Sequence, residues 1–270
     1  MAAKNVNDMS FLDHLEDLRW HIIRAVLAIV VGGIIAFIFK SFIFDTIILG
    51  PKHMDFPTYK WLCKMAQTLS MDTTFCADEF PFIIQNRTMA GQFTAHIWTS
   101  IYAGLVIAFP YVIYQMWKFI SPGMHSSEKK YSRGFIIICS LLFFTGVLFG
   151  YYIVTPLSIN FLGTYSVSNE ISNQIDISSY ISLVRSSALA SGIIFELPIL
   201  IYFLTKIGLV NPTMLRKYRK FALVIVLVVS AVITPPDIAS QIIVAIPVLI
   251  LYEVSIYISA FILKRNKSKA

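Results

Sequence analysis

RKFALVIVLVVSAVITPPDIASQIIVAIPVLILYEVSIYISAFILKR, residues 219 to 265, is the stretch that decides the fold. Two apolar runs, 221 to 234 and 238 to 262, are parted by little more than TPPD (234 to 237). Arg216, Lys217, Arg219 and Lys220 stand before them, and Lys264, Arg265, Lys267 and Lys269 follow. Short loops left on the cytoplasmic side of a membrane carry the excess of Lys and Arg, so both basic flanks belong on one side. The segment between them crosses an even number of times, with TPPD as its far-side turn. The first run rises only about 21 Å over its roughly 14 residues, against ~30 Å of hydrocarbon, yet parity makes it one arm of a hairpin.

Working outward, the same rule orients the rest of the chain. Lys118, Lys129, Lys130 and Arg133 form a third basic group, also assigned to the cytoplasm. The loop 163 to 178 carries Glu170 and Asp176 without Lys or Arg, as a translocated loop should. Spans are expected at 20–44, 92–120, 134–162, 179–204, 221–234 and 238–262. Parity places the long connection 45–91, whose charges balance, outside. The expected fold is an all-α membrane protein: one integral domain, 1–270, of six transmembrane helices with a short final pair and both termini cytoplasmic.

Composition agrees. At 57% hydrophobic and 14% charged residues, with a mean hydropathy of +0.71, the chain has too little polar surface to clothe a soluble globule. Its net charge of +7 lies in short loops between apolar runs, which sets topology and gives no nucleic-acid-binding face. Asp8, Asp13, Glu16 and Asp17 precede the first run; that acidic flank is wrong for a cleaved signal peptide, so a retained first span is expected. No internal repeat of the kind found in inverted-repeat transporters stands out.

Cys63 and Cys76 both fall in the exported 45–91 connection, an oxidising setting in which a small loop gains from a staple. A Cys63–Cys76 disulfide is expected there, two free thiols being the alternative. Cys139 lies inside the third span.

Ionisable residues inside a span are costly and mark function by default. Glu196, in SGIIFELPIL, is the foremost; Arg185 lies eleven positions earlier, and Glu253 lies in the sixth span. Glu196 reads either as a buried acid that holds helices together or as a polar point on a cavity wall. Pro110, Pro156, Pro198 and Pro247 interrupt four spans, which favours a curved, cupped wall of helices over a straight bundle. No phosphate loop, zinc helix or nucleophile elbow is present in the sequence, and the five histidines lack metal-ligand spacing. No catalysis, cofactor or metal is expected. Two other classes fit parts of this pattern: a proton-coupled small-molecule transporter built on Glu196, and an intramembrane enzyme, for which no nucleophile and base pair is found.

Five segments in order carry a family resemblance: HLEDLR (14 to 19), FPYVIYQMWKFISPG (109 to 123) with SEKK (127 to 130), FELP (195 to 198), TPPDIASQ (234 to 241) and AIP (245 to 247). The chain resembles the TatC family, receptors of the twin-arginine protein translocase, over nearly its whole length. The resemblance implies that the N-terminal motif and the first cytoplasmic loop bind the twin-arginine signal peptides of folded cargo. Asp17, where the family usually has glutamate, and Glu128 would receive the arginine pair, with Arg19 orienting the segment and Glu16 sharing the task. Carboxylates suit that role because they accept both arms of a guanidinium fork; read alone, the same acids equally suit a helix N-terminus. Glu196 matches the family's intramembrane acid on the concave side. Thr234, Asp237 and Gln241 would lie where TatA- or TatB-type single-span subunits dock. The resemblance further implies self-association in the receptor complex, the bacterial cytoplasmic membrane as its place, and the proton gradient as energy source.

Overall fold

The computed structural model describes residues 11–69, 76, 79–121, 132–168, 170–234 and 238–267. Glu128 and Asp237, with most of the SEKK and TPPD segments, lie outside the described residues. The chain divides into two compact units, Met1–Ile43 with Gln92–Leu141, and Phe44–Gly91 with Leu142–Ala270.

The first unit is built on two long helices, α1 (Phe11–Ile38) and α3 (Gly91–Ile120). α1 includes HLEDLR, which hydropathy sets ahead of a span beginning at residue 20. The reason is that hydropathy marks the membrane and not the helix: Leu, Glu and Arg are strong helix formers, and the charged side chains of this turn take exposed or half-buried positions. The two helices meet backbone to backbone where glycines allow it. A Cβ on Gly104 would fall 2.5 Å from both the Gly33 nitrogen and the Ile29 oxygen, so any larger residue there would force the helices apart.

In the second unit the third span is interrupted. α4 (Ser132–Phe149) passes through a π-helical turn, Gly150–Val154, into α5 (Thr155–Thr164). Pro156 explains the irregularity, since it has no N–H to give the carbonyl of Tyr152. That carbonyl takes the hydroxyl of Thr58 instead. Thr58 belongs to α2 (Pro57–Leu69), a helix inside the 45–91 connection. Its neighbour Tyr59, 1% exposed, donates at 3.0 Å to the Pro51 carbonyl and lies 3.1 Å from that of Pro156. Burial holds the Tyr59 phenol well above its ordinary range. The connection, which reads as a loop in the sequence, is thus a folded cap latched onto the break in the third span.

Cys63 and Cys76 are joined in the structure, with Cα atoms 5.0 Å apart. Two three-residue strands, β1 (Ile83–Gln85) and β2 (Gln174–Asp176), pair in parallel, Ile84 opposite Ile175. Asp176 then accepts from the amides of Ser178 at 2.8 Å and Arg87 at 3.3 Å. It thereby caps the next helix, and these bonds, chiefly that from Ser178, lower its carboxyl pKa.

The remaining helices are α6 (Ile177–Phe195), α7 (Leu197–Lys206), α8 (Pro212–Lys217), α9 (Arg219–Ile233) and α10 (Ile238–Lys267). Gly208, at φ +81, ends α7 in a conformation that glycine adopts freely. Asn211 caps α8 through the Met214 amide at 2.7 Å. α9 and α10 pack through Val226, Ala245 and Val248, while Ile201, Tyr252 and Ile256 join α7 to α10. Buried Thr205 reaches Ser259 at 2.9 Å, and Arg219 pairs with Glu253 at 2.7 Å, which accounts for an acid inside the sixth span.

Among the described residues, five helical stretches are long and apolar enough to cross a membrane: His14–Ile38, Gly91–Ile120, Gly134–Thr164, Ile177–Lys206 and Ser240–Lys264. α9, with 15 residues, is the short arm anticipated from the sequence. The molecule is an all-α multi-pass membrane protein that carries, among the described residues, a two-stranded ribbon that hydropathy did not reveal.

Candidate functional site

The acidic N-terminal motif gains its setting from helical periodicity. His14, Asp17 and His21 recur at three and four residues, so they share one face of α1. That face meets the last turns of α3, where Gln115 and Phe119 are themselves four apart. His14 stacks on Phe119 with centroids 4.5 Å apart, and His21 lies tilted to the same ring at 6.3 Å. His21 and Gln115 are 6% and 3% exposed, and His21 Nδ1 lies 2.7 Å from Gln115 Oε1. Nε2 of the same ring faces Asp17 Oδ1 at 3.6 Å. Asp17 keeps 43% of its side chain exposed.

This geometry separates the candidates. Asp17 faces His21 on one side and is open on the other. Glu16 and Arg19 are exposed and make no ion pair among the described residues. Gln115 and Phe119 lie in the turns of α3 that lead towards Glu128, so the motif packs against the root of that segment. Sequence reasoning missed His21, Gln115, His14 and Phe119. The spacing of the two histidines around Asp17 was the available signal, but histidine spacing reads first as a question of metal ligation, which this pattern does not satisfy.

The second locus is Glu196, which sits between α6 and α7. Its amide reaches the carbonyls of Ile193 and Ile194, and its own carbonyl accepts from Ile199 at 2.9 Å and Leu200 at 3.0 Å. Pro198 brings no N–H, so the helix is interrupted here within the Ile177–Lys206 stretch. Glu196 Oε1 is buried without a hydrogen-bond partner, an arrangement that costs free energy in a static core.

Thr234 and Gln241 are engaged within the final hairpin. The Thr234 hydroxyl donates to the Ser230 carbonyl at 2.9 Å, and Gln241 Nε2 donates to that of Leu227 at 3.0 Å. Among the described residues, no group of three or more His, Cys, Asp or Glu side chains could hold a metal ion.

A polytopic helical membrane protein with an acidic motif on its first helix and a half-buried acid at a broken helix is the class this arrangement defines. Residues 13–247 match the family model for TatC, the Sec-independent protein translocase protein. A Sec-independent protein translocase protein TatC from Blattabacterium sp. subsp. Periplaneta americana (strain BPLAN) is 44% identical over 96% of this chain and 98% of its own length. TatCy of Bacillus subtilis (strain 168) is 34% identical over 100% of this chain and 96% of its own. A crystal structure of the twin-arginine translocase receptor TatC in DDM superposes with a TM-score of 0.70 at 32% identity, covering 91% of this chain and 99% of that one. The chain belongs to the TatC family, components of a protein translocase and not enzymes.

Proposed function

We propose that this chain is the signal-peptide receptor of a twin-arginine translocase, set in a bacterial cytoplasmic membrane as one domain with both termini in the cytoplasm. Asp17 receives one guanidinium of the arginine pair and Glu128 the other; Arg19 and Glu16, exposed beside Asp17, steer the approaching segment. The observation that carries this reading is the placement of Asp17, which faces buried His21 where α1 meets the end of α3 and keeps almost half its side chain open. A carboxylate so placed offers two acceptor oxygens to a planar fork. An ammonium can occupy the same spot only as a point charge, so arginine is favoured over lysine.

Glu196 supplies a polar point within the bilayer for an inserted signal hairpin or a partner helix, which its bare buried oxygen supports. The final hairpin, with Thr234, Asp237 and Gln241, is the docking region for TatA- and TatB-type single-span subunits, and copies of the chain associate in the receptor complex. Folded cargo is then exported at the expense of the proton gradient.

The test is site-specific photo-crosslinking from positions 17 and 128 to signal peptides bearing Arg-Arg or Lys-Lys. The Arg-Arg form should label strongly, and Asp17→Ala or Glu128→Ala should reduce labelling from the other position. Equal labelling by both peptides, insensitive to either change, would refute the assignment.

A further inference from the structure

We infer that His21, backed by Gln115, is a positioning residue that pre-sets the Asp17 carboxylate for a guanidinium. The inference rests on the reading of Asp17 as an arginine acceptor and adds to it how a short, half-exposed side chain is held ready.

The imidazole is fixed on two sides. Nδ1 meets Gln115 Oε1 at 2.7 Å, and with that oxygen as acceptor the ring must carry its proton on Nδ1. Phe119 walls one flank at 6.3 Å and is itself stacked on His14. The ring is 6% exposed and Gln115 3%, so neither can reorient without opening the α1–α3 contact. Nε2 is consequently aimed at Asp17 Oδ1, one helical turn back.

The separation of 3.6 Å matters as much as the direction. It is longer than a hydrogen bond, and with the proton on Nδ1 the facing Nε2 is an acceptor, so the ring repels a carboxylate that turns inward and keeps it directed outward without consuming its lone pairs. Both oxygens remain available for a bidentate fork. A carboxylate already in its bound orientation loses less freedom on binding, and that difference appears as affinity. An ammonium demands no in-plane alignment, so it gains little. His21 therefore acts on the discrimination between arginine and lysine more than on binding as such.

The experiment uses the full chain in lipid nanodiscs and measures binding of fluorescent Arg-Arg and Lys-Lys signal peptides by anisotropy. His21→Ala should weaken Arg-Arg binding roughly five- to tenfold, the loss expected when a side chain must be ordered on binding, and leave Lys-Lys binding within twofold. Gln115→Met, of similar size, removes only the hydrogen bond behind the ring and should act in the same direction with a smaller effect. Asp17→Glu, whose longer arm does not depend on the ring, should make the His21→Ala change nearly silent. A parallel loss for both peptides would reduce His21 to a structural role and overturn the inference. So would unchanged binding in His21→Ala and Gln115→Met while Asp17→Ala still abolishes arginine preference. Should Asp17→Ala itself have no effect, the acceptor reading fails, and the positioning role with it.

Discussion

Replacing Gly150 by alanine should separate α6 from the interrupted third span. Gly146 and Gly150, four apart, lie on one face against Ser187, Ala188, Ser191 and Gly192 of α6, so small residues meet small residues, as helices do when they pack closely in lipid. A Cβ at Gly150 would stand 2.4 Å from the Ser187 carbonyl oxygen and 2.8 Å from the α-carbon of Ala188. Ordinary van der Waals approach begins at 3.4 Å, and both neighbours are backbone, so one helix must shift by about 1 Å. Overpacking of this kind costs roughly 1–3 kcal/mol. The assay is thermal unfolding in detergent, read by a thiol dye on Cys139, which is fully buried, with Cys63 and Cys76 changed to Ser in every variant. Gly134→Ala is the control, because nothing lies within 4 Å of its added carbon. Gly150→Ala should melt several degrees below that control and Gly150→Leu lower still. Equal melting of Gly150→Ala and Gly134→Ala would refute the close-packing argument.

Tyr59→Phe removes the hydroxyl that ties α2 to the Pro51 and Pro156 carbonyls, costs about 1–2 kcal/mol, and should speed deuterium uptake across α2. Because burial raises the Tyr59 pKa above the ordinary 10.0, the unfolded phenol ionises first, so the latch keeps full strength below pH 10 and weakens as pH rises beyond it. Mass spectrometry of unreduced, thiol-blocked protein should find Cys63 and Cys76 unalkylated and linked; alkylation of both would remove the staple. Glu253→Gln breaks the ion pair that joins α10 to Arg219 at the start of α9, so it should lower the melting temperature; an unchanged melting temperature would mean that the pair adds nothing to the α9–α10 contact.

What the sequence disclosed follows from the range of each signal. Hydropathy and charge are local, and the apolar runs they mark from 92 onward fall on helices of the structure, even the short α9, whereas the first, 20–44, overruns the end of α1 at Ile38. They placed the start of the first helix late because HLEDLR is helical without being apolar. Pro198 beside Glu196 announced a break, and Pro156 announced one whose repair lies elsewhere: the hydroxyl of Thr58 stands 94 positions from the carbonyl it satisfies. His21 and Gln115 are equally far apart in the chain, so their hydrogen bond has no sequence signature. Three-residue strands that pair Ile84 with Ile175 are too short to show a period of two. The acids of the motif were legible as charge, and the family resemblance attached the main role to Asp17 and a shared one to Glu16; the contact of Asp17 with His21 was not legible.

The central claim is that the Asp17 carboxylate selects arginine pairs, and the most direct test is a pair of binding isotherms for Asp17→Asn. This change keeps the size of the side chain and removes its charge and one acceptor. The account predicts that affinity falls for both peptides but much further for Arg-Arg, so that its advantage over Lys-Lys shrinks. An Arg-Arg preference that survives Asp17→Asn intact would contradict it.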